Sequence, residues 1–458
     1  MEPDERLYLR VTLRDVEPEI WREFEIDGQM TIRQLHMAIQ VMLGWRETHR
    51  HETFEGLPLT EDLTPRPPLR WGQPSSDDPE ILDEDEWTIL GALEESPLAY
   101  IYDFGDTWHH LVEINHEMTP IAEAPPVLLR TGRNRGPWED SGGAEGYQEK
   151  CAIWADPDHP EHDEIRQWVA DTVGPWAPAD PTFFDPPSIQ AELNLLFNPG
   201  GSGVHPYDMS GLVKADELRP PGDVDLESPI VAFAGTLPPA IRSELRQHLY
   251  RTGVLAPTDL DDATAERLIR PFAWLVDAVG AGGIDLTSAG WLPPDVVLDG
   301  MTALGWIEDW IGKGNREDLT PPIANLRETA QRLGLVRVQK GRLLLGAEAK
   351  KALGHPRRLL RLVARGLYRK LQDAEVDAAV LLFLSLADGT PADERWRAIA
   401  FGLTMAGWQH PSGEFDRDDI ASVAGRTEDL LGVLFGWRER LTREGSADIA
   451  LFAREALR

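Results

Sequence analysis

The chain has 458 residues and a mass of 51.2 kDa, too long for one ordinary core and long enough for two or three domains. A formal charge of −33 with a pI near 4.7 argues against adhesion of the whole chain to nucleic acid or to an anionic membrane. The 42% hydrophobic content and 16 Trp exclude wholesale disorder, and the lone Cys151 excludes an intrachain disulfide framework or a cysteine-based zinc site.

The opening, MEPDERLYLRVTL, has no apolar run behind a basic start and does not read as a secretory signal. The most apolar stretch, VDAAVLLFLSLA at 376–387, is about a dozen residues, against roughly 20 for a spanning helix. It reads as a buried helix, and a soluble cytoplasmic protein is expected.

The alternation in Leu7–Leu13 and in Ile20–Ile26 predicts two antiparallel strands. Ile32, Leu35, Ala38, Ile39 and Met42 then fall at helical spacing, with Thr31 placed to cap the helix and Gly44 to stop it. An acidic loop spans Ser75–Trp87, and further strands are predicted at Leu98–Phe104 and Leu111–Ile114. These elements describe an α+β domain over 1–198, roll-like, with helices on a mostly antiparallel sheet. The Gly, Pro and Ser clusters of 199–228 read as a linker. Beyond it, 229–458 reads as a mostly α-helical domain with helices at Arg242–Tyr250, Ala263–Val279, Val296–Trp310, Ile323–Leu333, Arg357–Leu371, Val376–Leu386, Arg395–Ala406 and Thr427–Arg440.

Charge is distributed unevenly along this plan. Residues 1–185 carry 14 Lys/Arg against 40 Asp/Glu, a net of −26, whereas residues 321–372 carry 13 against 2, a net of +11. Within that basic island a helix (IANLRETAQRLG), a hairpin turning at Lys340-Gly341 and a second helix (AEAKKALG) follow in winged-helix-like order. Arg337, Lys340, Arg342, Lys350, Lys351, Arg357, Arg358 and Arg361 are its candidate nucleic-acid contacts, because Lys and Arg neutralise phosphates. The same charge would suit an acidic protein surface or the acidic first half of this chain, and it also suits a solvated helical face.

Chemistry-bearing side chains are densest in YIYDFGDTWHH at 100–110, where Gly105 is placed to let the strand turn and bring Asp103 and Asp106 to one edge. Tyr102, Asp103, Gly105, Asp106, Trp108 and His110 resemble the Y-D-F-G-D-x-W-x-H hallmark of the plasmid pRiA4b ORF-3-like family. Three further segments fit that family in order: the strand pair YLRVTL and PEIWREFEI, the helix ending QVMLGW before His49 and His51, and GRNRGPWEDSGGAEGY, which supplies Glu139, Asp140, Gly142, Gly143 and Tyr147. The resemblance covers about residues 5–198 and implies an α+β roll-like fold, an association with mobile elements, and no defined reaction. The second half resembles, more weakly, the helical extension of long actinobacterial members. The family's last motif usually reads C-P-P-E-D-C-G-G, whereas Gly136 and Ser141 stand here at the cysteine positions and Trp138 at the second proline. A role for that cysteine pair does not carry over.

His49, His51, His109, His110, Asp103, Asp106, Glu139 and Asp140 are the candidates for a divalent metal ion, since imidazole and carboxylate together suit one. A strand carrying H-x-H would point both rings to one face. The metal alternative centres on His49, His51, Asp103, Asp106 and His110, and a metal-dependent hydrolase would use Asp103, Asp106, His110 and Glu139. The opposing reading makes the carboxylates turn caps and Trp108 and His110 packing groups. The glycines of GRNRGPWEDSGG and NPGGSG match no phosphate-loop order and have no helix N-terminus placed to meet a phosphate, and no Ser-His-Asp order or nucleophile elbow is present. Together these features describe a binding or adaptor protein that touches nucleic acid or an acidic surface through 321–372, with the metal-dependent hydrolase as the alternative.

Overall fold

The computed structural model describes residues 6–56, 69–74, 78–93, 96–116, 121, 124–176, 180–197, 228–256, 258, 260–437 and 441–458. The linker expected at 199–228 lies outside the described residues except for Ser228. The chain divides into two compact units, Met1–Pro220 with Leu237–Arg251, and Pro221–Thr236 with Thr252–Arg458.

In the first unit the elements are β1 (Arg6–Leu13), β2 (Trp21–Asp27), α1 (Ile32–Leu43), β3 (His51–Glu55), β4 (Arg70–Gly72), β5 (Leu82–Asp83), α2 (Ile89–Ala92), β6 (Leu98–Tyr102), β7 (Trp108–Ile114), β8 (Val127–Arg133), α3 (Gly143–Ala155), α4 (His162–Thr172) and α5 (Pro186–Phe197). Among the described residues these strands form one sheet in the order β5-β4-β3-β6-β7-β1-β2-β8, antiparallel except for the β4–β5 pair. Helix α1 starts and stops where its sequence dictates. The Thr31 side chain accepts from Gln34 N while the Gln34 side chain accepts from Thr31 N, and Gly44 closes the helix at φ 78°. Leu9, Val11, Phe24, Ile39, Leu98, Tyr100, Val112 and Leu129 belong to the continuous core of this unit.

Two local expectations change. Strand β6 ends at Tyr102 because Asp103 takes a left-handed backbone (φ 57°), and Thr107 does the same (φ 58°). The turn therefore bends at Asp103 and Thr107, and Gly105 serves it by donating its N–H to Asp103 Oδ1 at 2.8 Å. The second concerns GRNRGPWEDSGG, where the chain is helical from Gly143, so a helix N-terminus does follow the glycines.

Helix α6 (Pro229–Ala234) belongs to the second unit, whereas α7 (Pro239–Thr252) belongs to the first. The fully buried Glu192 accounts for the latter, since Arg242 and Arg246 of α7 bind its carboxylate at 2.8 and 2.7 Å. A buried carboxylate without such partners would be strongly destabilising.

The second unit continues with α8 (Asp262–Leu268), α9 (Arg270–Val279), β9 (Ile284–Asp285), α10 (Pro294–Ala303), α11 (Pro321–Arg332), β10 (Val336–Gln339), β11 (Arg342–Leu345), α12 (Ala347–Ala352), α13 (Pro356–Gly366), α14 (Ala374–Ala387), α15 (Arg395–Met405), α16 (Arg417–Val423), α17 (Gly425–Phe435) and α18 (Ala447–Leu457). The single helix expected at Ala263–Val279 is two, broken at Ile269 because Pro271 cannot donate to the helical ladder and crowds the preceding turn. The helix expected to reach Trp310 stops at Ala303, with Gly305 left-handed just beyond it (φ 76°). The apolar α14 is buried along Ala378–Ala387 and packs on α15, α16 and α18. No described helix is long and apolar enough to cross a membrane.

In the first unit, the loop 134–142 docks on the end of α1 by a close backbone approach. A Cβ on Gly136 would lie 2.1 Å from the Leu43 carbonyl oxygen. Gly136→Ala is expected to lower the unfolding free energy by about 2–3 kcal/mol, as overpacking does. Gly282→Ala, which meets nothing within 4 Å, should change it by less than about 0.5 kcal/mol. Denaturant unfolding followed by Trp fluorescence reads both.

Candidate functional site

Three separate chain segments converge on one edge of the first unit: the stretch between α1 and β3, the β6–β7 turn, and the loop before α3. Trp45 Nε1 donates to the Pro137 carbonyl at 3.0 Å. Two residues on, the Glu139 carboxylate accepts from Arg46 N (2.9 Å), Tyr102 Oη (2.7 Å) and Thr48 Oγ1 (3.0 Å), joining all three segments. Asp106 Oδ2 accepts from Gly142 N at 3.0 Å, and a Cβ on Gly143 would lie 2.7 Å from the Asp106 carbonyl oxygen. Glu139 and Asp106 thus act as clamps between segments.

At the junction His49 Nε2 lies 3.2 Å from Asp140 Oδ1 and 3.7 Å from Asp103 Oδ2. Asp103 is buried, His49 half-buried and Asp140 exposed. One ligand atom from each of these three side chains lies within 4.8 Å of the others.

The remaining candidates go elsewhere. His49 precedes β3, so strand alternation does not govern it, and His51 stacks on His36 with ring centroids 3.5 Å apart while Nε2 meets Glu84 Oε2 at 2.7 Å. His36 Nδ1 lies 2.8 Å from Tyr100 Oη, which also accepts from Gln40 Nε2 at 3.1 Å. His110 is buried in β7 with Nδ1 3.2 Å from the Tyr100 carbonyl oxygen, and packs edge-on against Trp45. His109 pairs through its carbonyl with Arg14 N. Asp103, Asp106, His110 and Glu139 are consequently not gathered as a hydrolase would need: two carboxylates cap backbone N–H groups, Glu139 is fully engaged, and His110 is a core residue. Trp108 and Tyr147 also belong to the core. The buried His36 was not singled out by sequence, and its place in the apolar periodicity of α1 was its one signal.

The backbone at Gly136 leaves no room for a side chain, and in the same loop the buried Ser141 Oγ donates to the Trp138 carbonyl at 2.6 Å.

In the second unit the basic candidates are exposed: Arg337, Lys340, Arg342, Lys350, Lys351, Arg357, Arg358 and Arg361. The hairpin turns at Lys340 and Gly341, left-handed at φ 51° and 74°. Arg342 pairs with Asp285, Lys351 and Arg358 with Glu348, and Arg357 with Asp262. Arg337, Lys340, Lys350 and Arg361 meet no carboxylate among the described residues.

The fold and the converging segments of the first unit define an α+β domain in which three separate segments are joined in space by Glu139 and Gly136. Residues 5–189 match the family model described as plasmid pRiA4b ORF-3-like protein, and the chain belongs to that family. It is 33% identical over 163 residues to the uncharacterized protein y4hQ of Sinorhizobium fredii, across 35% of this chain and 78% of that one. A crystal structure of a protein of unknown function, MM3350 from Methanosarcina mazei Go1, is 26% identical with a TM-score of 0.33, covering 40% of this chain and 95% of that chain.

Burial holds the His36 ring down to about 4 and the His110 ring down to about 3. Both rings are neutral in the folded protein and protonate in the unfolded chain below about 6.5. Their contribution is complete above that pH and is lost as pH falls toward the folded values. Between pH 7 and pH 5 the unit should lose about 2 kcal/mol for each ring, and His36→Gln should remove about half of that dependence. Denaturant unfolding at the two pH values measures it.

Proposed function

We propose that the protein is a binding or adaptor member of its family that contacts nucleic acid through residues 321–372. The observation that carries this reading is α13. Its buried side is Leu359, Leu360, Val363 and Ala364, while Arg357, Arg358, Arg361 and Arg365 stand exposed and the helix contains no acid. Guanidinium groups on one helix neutralise phosphates and carry no base specificity of their own.

Element order supports a winged-helix reading of the same region. Helix α9, strand β9, helices α10 and α11 and the hairpin β10–β11 follow in sequence, with a sheet ordered β10-β11-β9, and Lys340-Gly341 would be the wing tip. Helix α11, the recognition helix of such an arrangement, has two of its cations committed: Arg327 binds Glu317 at 2.7 Å and Arg332 faces Asp429 at 3.6 Å. Arg342 of the wing and Arg357 and Arg358 of α13 are paired as well, so contact is assigned to Lys340 at the wing tip and to Arg361 of α13, which meet no carboxylate among the described residues. A role in mobile elements rests on the family resemblance.

Fluorescence anisotropy of a labelled DNA duplex with the full-length protein at 50 and 200 mM salt tests the proposal. Neutralising about four phosphates should weaken binding about a hundredfold between the two conditions. Lys340→Glu combined with Arg361→Glu should cost at least about tenfold at 50 mM salt. Absence of binding at 50 mM salt, or wild-type affinity in the charge-reversed variant, would overturn the reading in favour of an acidic protein partner or a solvated surface.

A further inference from the structure

We infer that His49, Asp103 and Asp140 form a binding site for a first-row divalent transition-metal ion, with His49 Nε2, Asp103 Oδ2 and Asp140 Oδ1 as its ligand atoms. The site lies in the first unit and is independent of the basic region in the second.

Ligands held about 2.0–2.2 Å from a common ion lie about 3 to 3.6 Å from one another at the angles of octahedral or tetrahedral coordination. The separations of His49 Nε2 from Asp140 Oδ1 and Asp103 Oδ2, 3.2 and 3.7 Å, fall at or next to that spacing. The imidazole also behaves unlike the partner of an ordinary ion pair. His49 Nε2 is buried and has no hydrogen-bond partner, although two carboxylates flank it. An orphaned ring nitrogen costs desolvation free energy that a bound cation would recover.

The surroundings favour the same assignment. Two carboxylate side chains flank the imidazole, a donor set that suits a divalent transition metal. The other oxygen of Asp103 is held by Gly105 N–H at 2.8 Å, an outer contact that orients the carboxylate. Glu139, adjacent to Asp140, fixes the loop through Tyr102, Thr48 and Arg46. An imidazole in the ligand set favours Zn2+ or Mn2+ over Mg2+ or Ca2+, which prefer oxygen alone. Three protein ligands leave coordination positions for water.

Isothermal titration of the metal-stripped full-length protein with Zn2+, Mn2+ and Mg2+ tests the assignment, with Co2+ substitution as the spectroscopic readout. The expected result is one equivalent of Zn2+ or Mn2+ bound at least a hundredfold more tightly than Mg2+, and a visible Co2+ absorption band. His49→Gln and, separately, Asp140→Asn should each weaken that binding at least a hundredfold and abolish the band. Asn tolerates the left-handed backbone at 140 (φ 56°), and Asp140 is exposed, so this variant retains the fold if His49→Gln does not. Substoichiometric Zn2+ and Mn2+ binding, equal affinity for Mg2+, or wild-type affinity in Asp140→Asn would overturn the proposal and reduce the cluster to an exposed ion pair on an acidic protein.

Discussion

The first unit depends on one contact between backbones: Gly136 seated against the Leu43 carbonyl at the end of α1. A side chain cannot occupy the 2.1 Å between a Cβ at 136 and that oxygen, so only glycine brings the loop this close. Once seated, the loop places Pro137 under Trp45, Glu139 against Arg46, Thr48 and Tyr102, and Asp140 beside His49. Three segments dispersed over about a hundred residues of sequence become one edge of the fold through that approach. Gly143 repeats the device against the Asp106 carbonyl, which fixes the loop to the β6–β7 turn from the other side.

The acidity of this unit is handled by giving its buried carboxylates specific donors. Glu25 is buried with Arg6 at 3.2 Å and with Arg130, Glu84 lies under His51, and Glu192 is bound by two arginines of α7. Such pairs add little net stability over apolar packing, but losing one partner leaves an uncompensated buried charge. They therefore select an arrangement. Glu192 returns α7 to the first unit after an intervening segment of the second, a connection that hydrophobic periodicity does not encode.

The second unit sorts its charge differently. Its axis, α14, is buried along Ala378–Ala387 and packed by other helices, which uses up the most membrane-like stretch of the chain as a core. The basic residues remain outside on the hairpin, α12 and α13, where several pair with nearby carboxylates. The net charge of −33 describes neither unit's surface. It averages an acidic α+β domain with a helical region that carries one basic exterior.

Amino-acid sequence by itself determined the local elements whose signals are short-range. The capped helix at Ile32–Leu43, the strand pair before it, the hairpin at Lys340-Gly341 and the buried character of 376–387 each follow from periodicity, caps or turn residues within a few positions. The family motifs and the regional charge were legible for the same reason, since they require no knowledge of what lies opposite. Tertiary structure decided which chemical groups meet. It separated His51 from His49, buried His110, turned Glu139 and Asp106 into clamps, and set Asp140 beside Asp103. Those outcomes depend on contacts between residues tens of positions apart, governed by close backbone approach at glycine and by the need of every buried charge for a partner. Neither constraint leaves a periodic trace in the sequence.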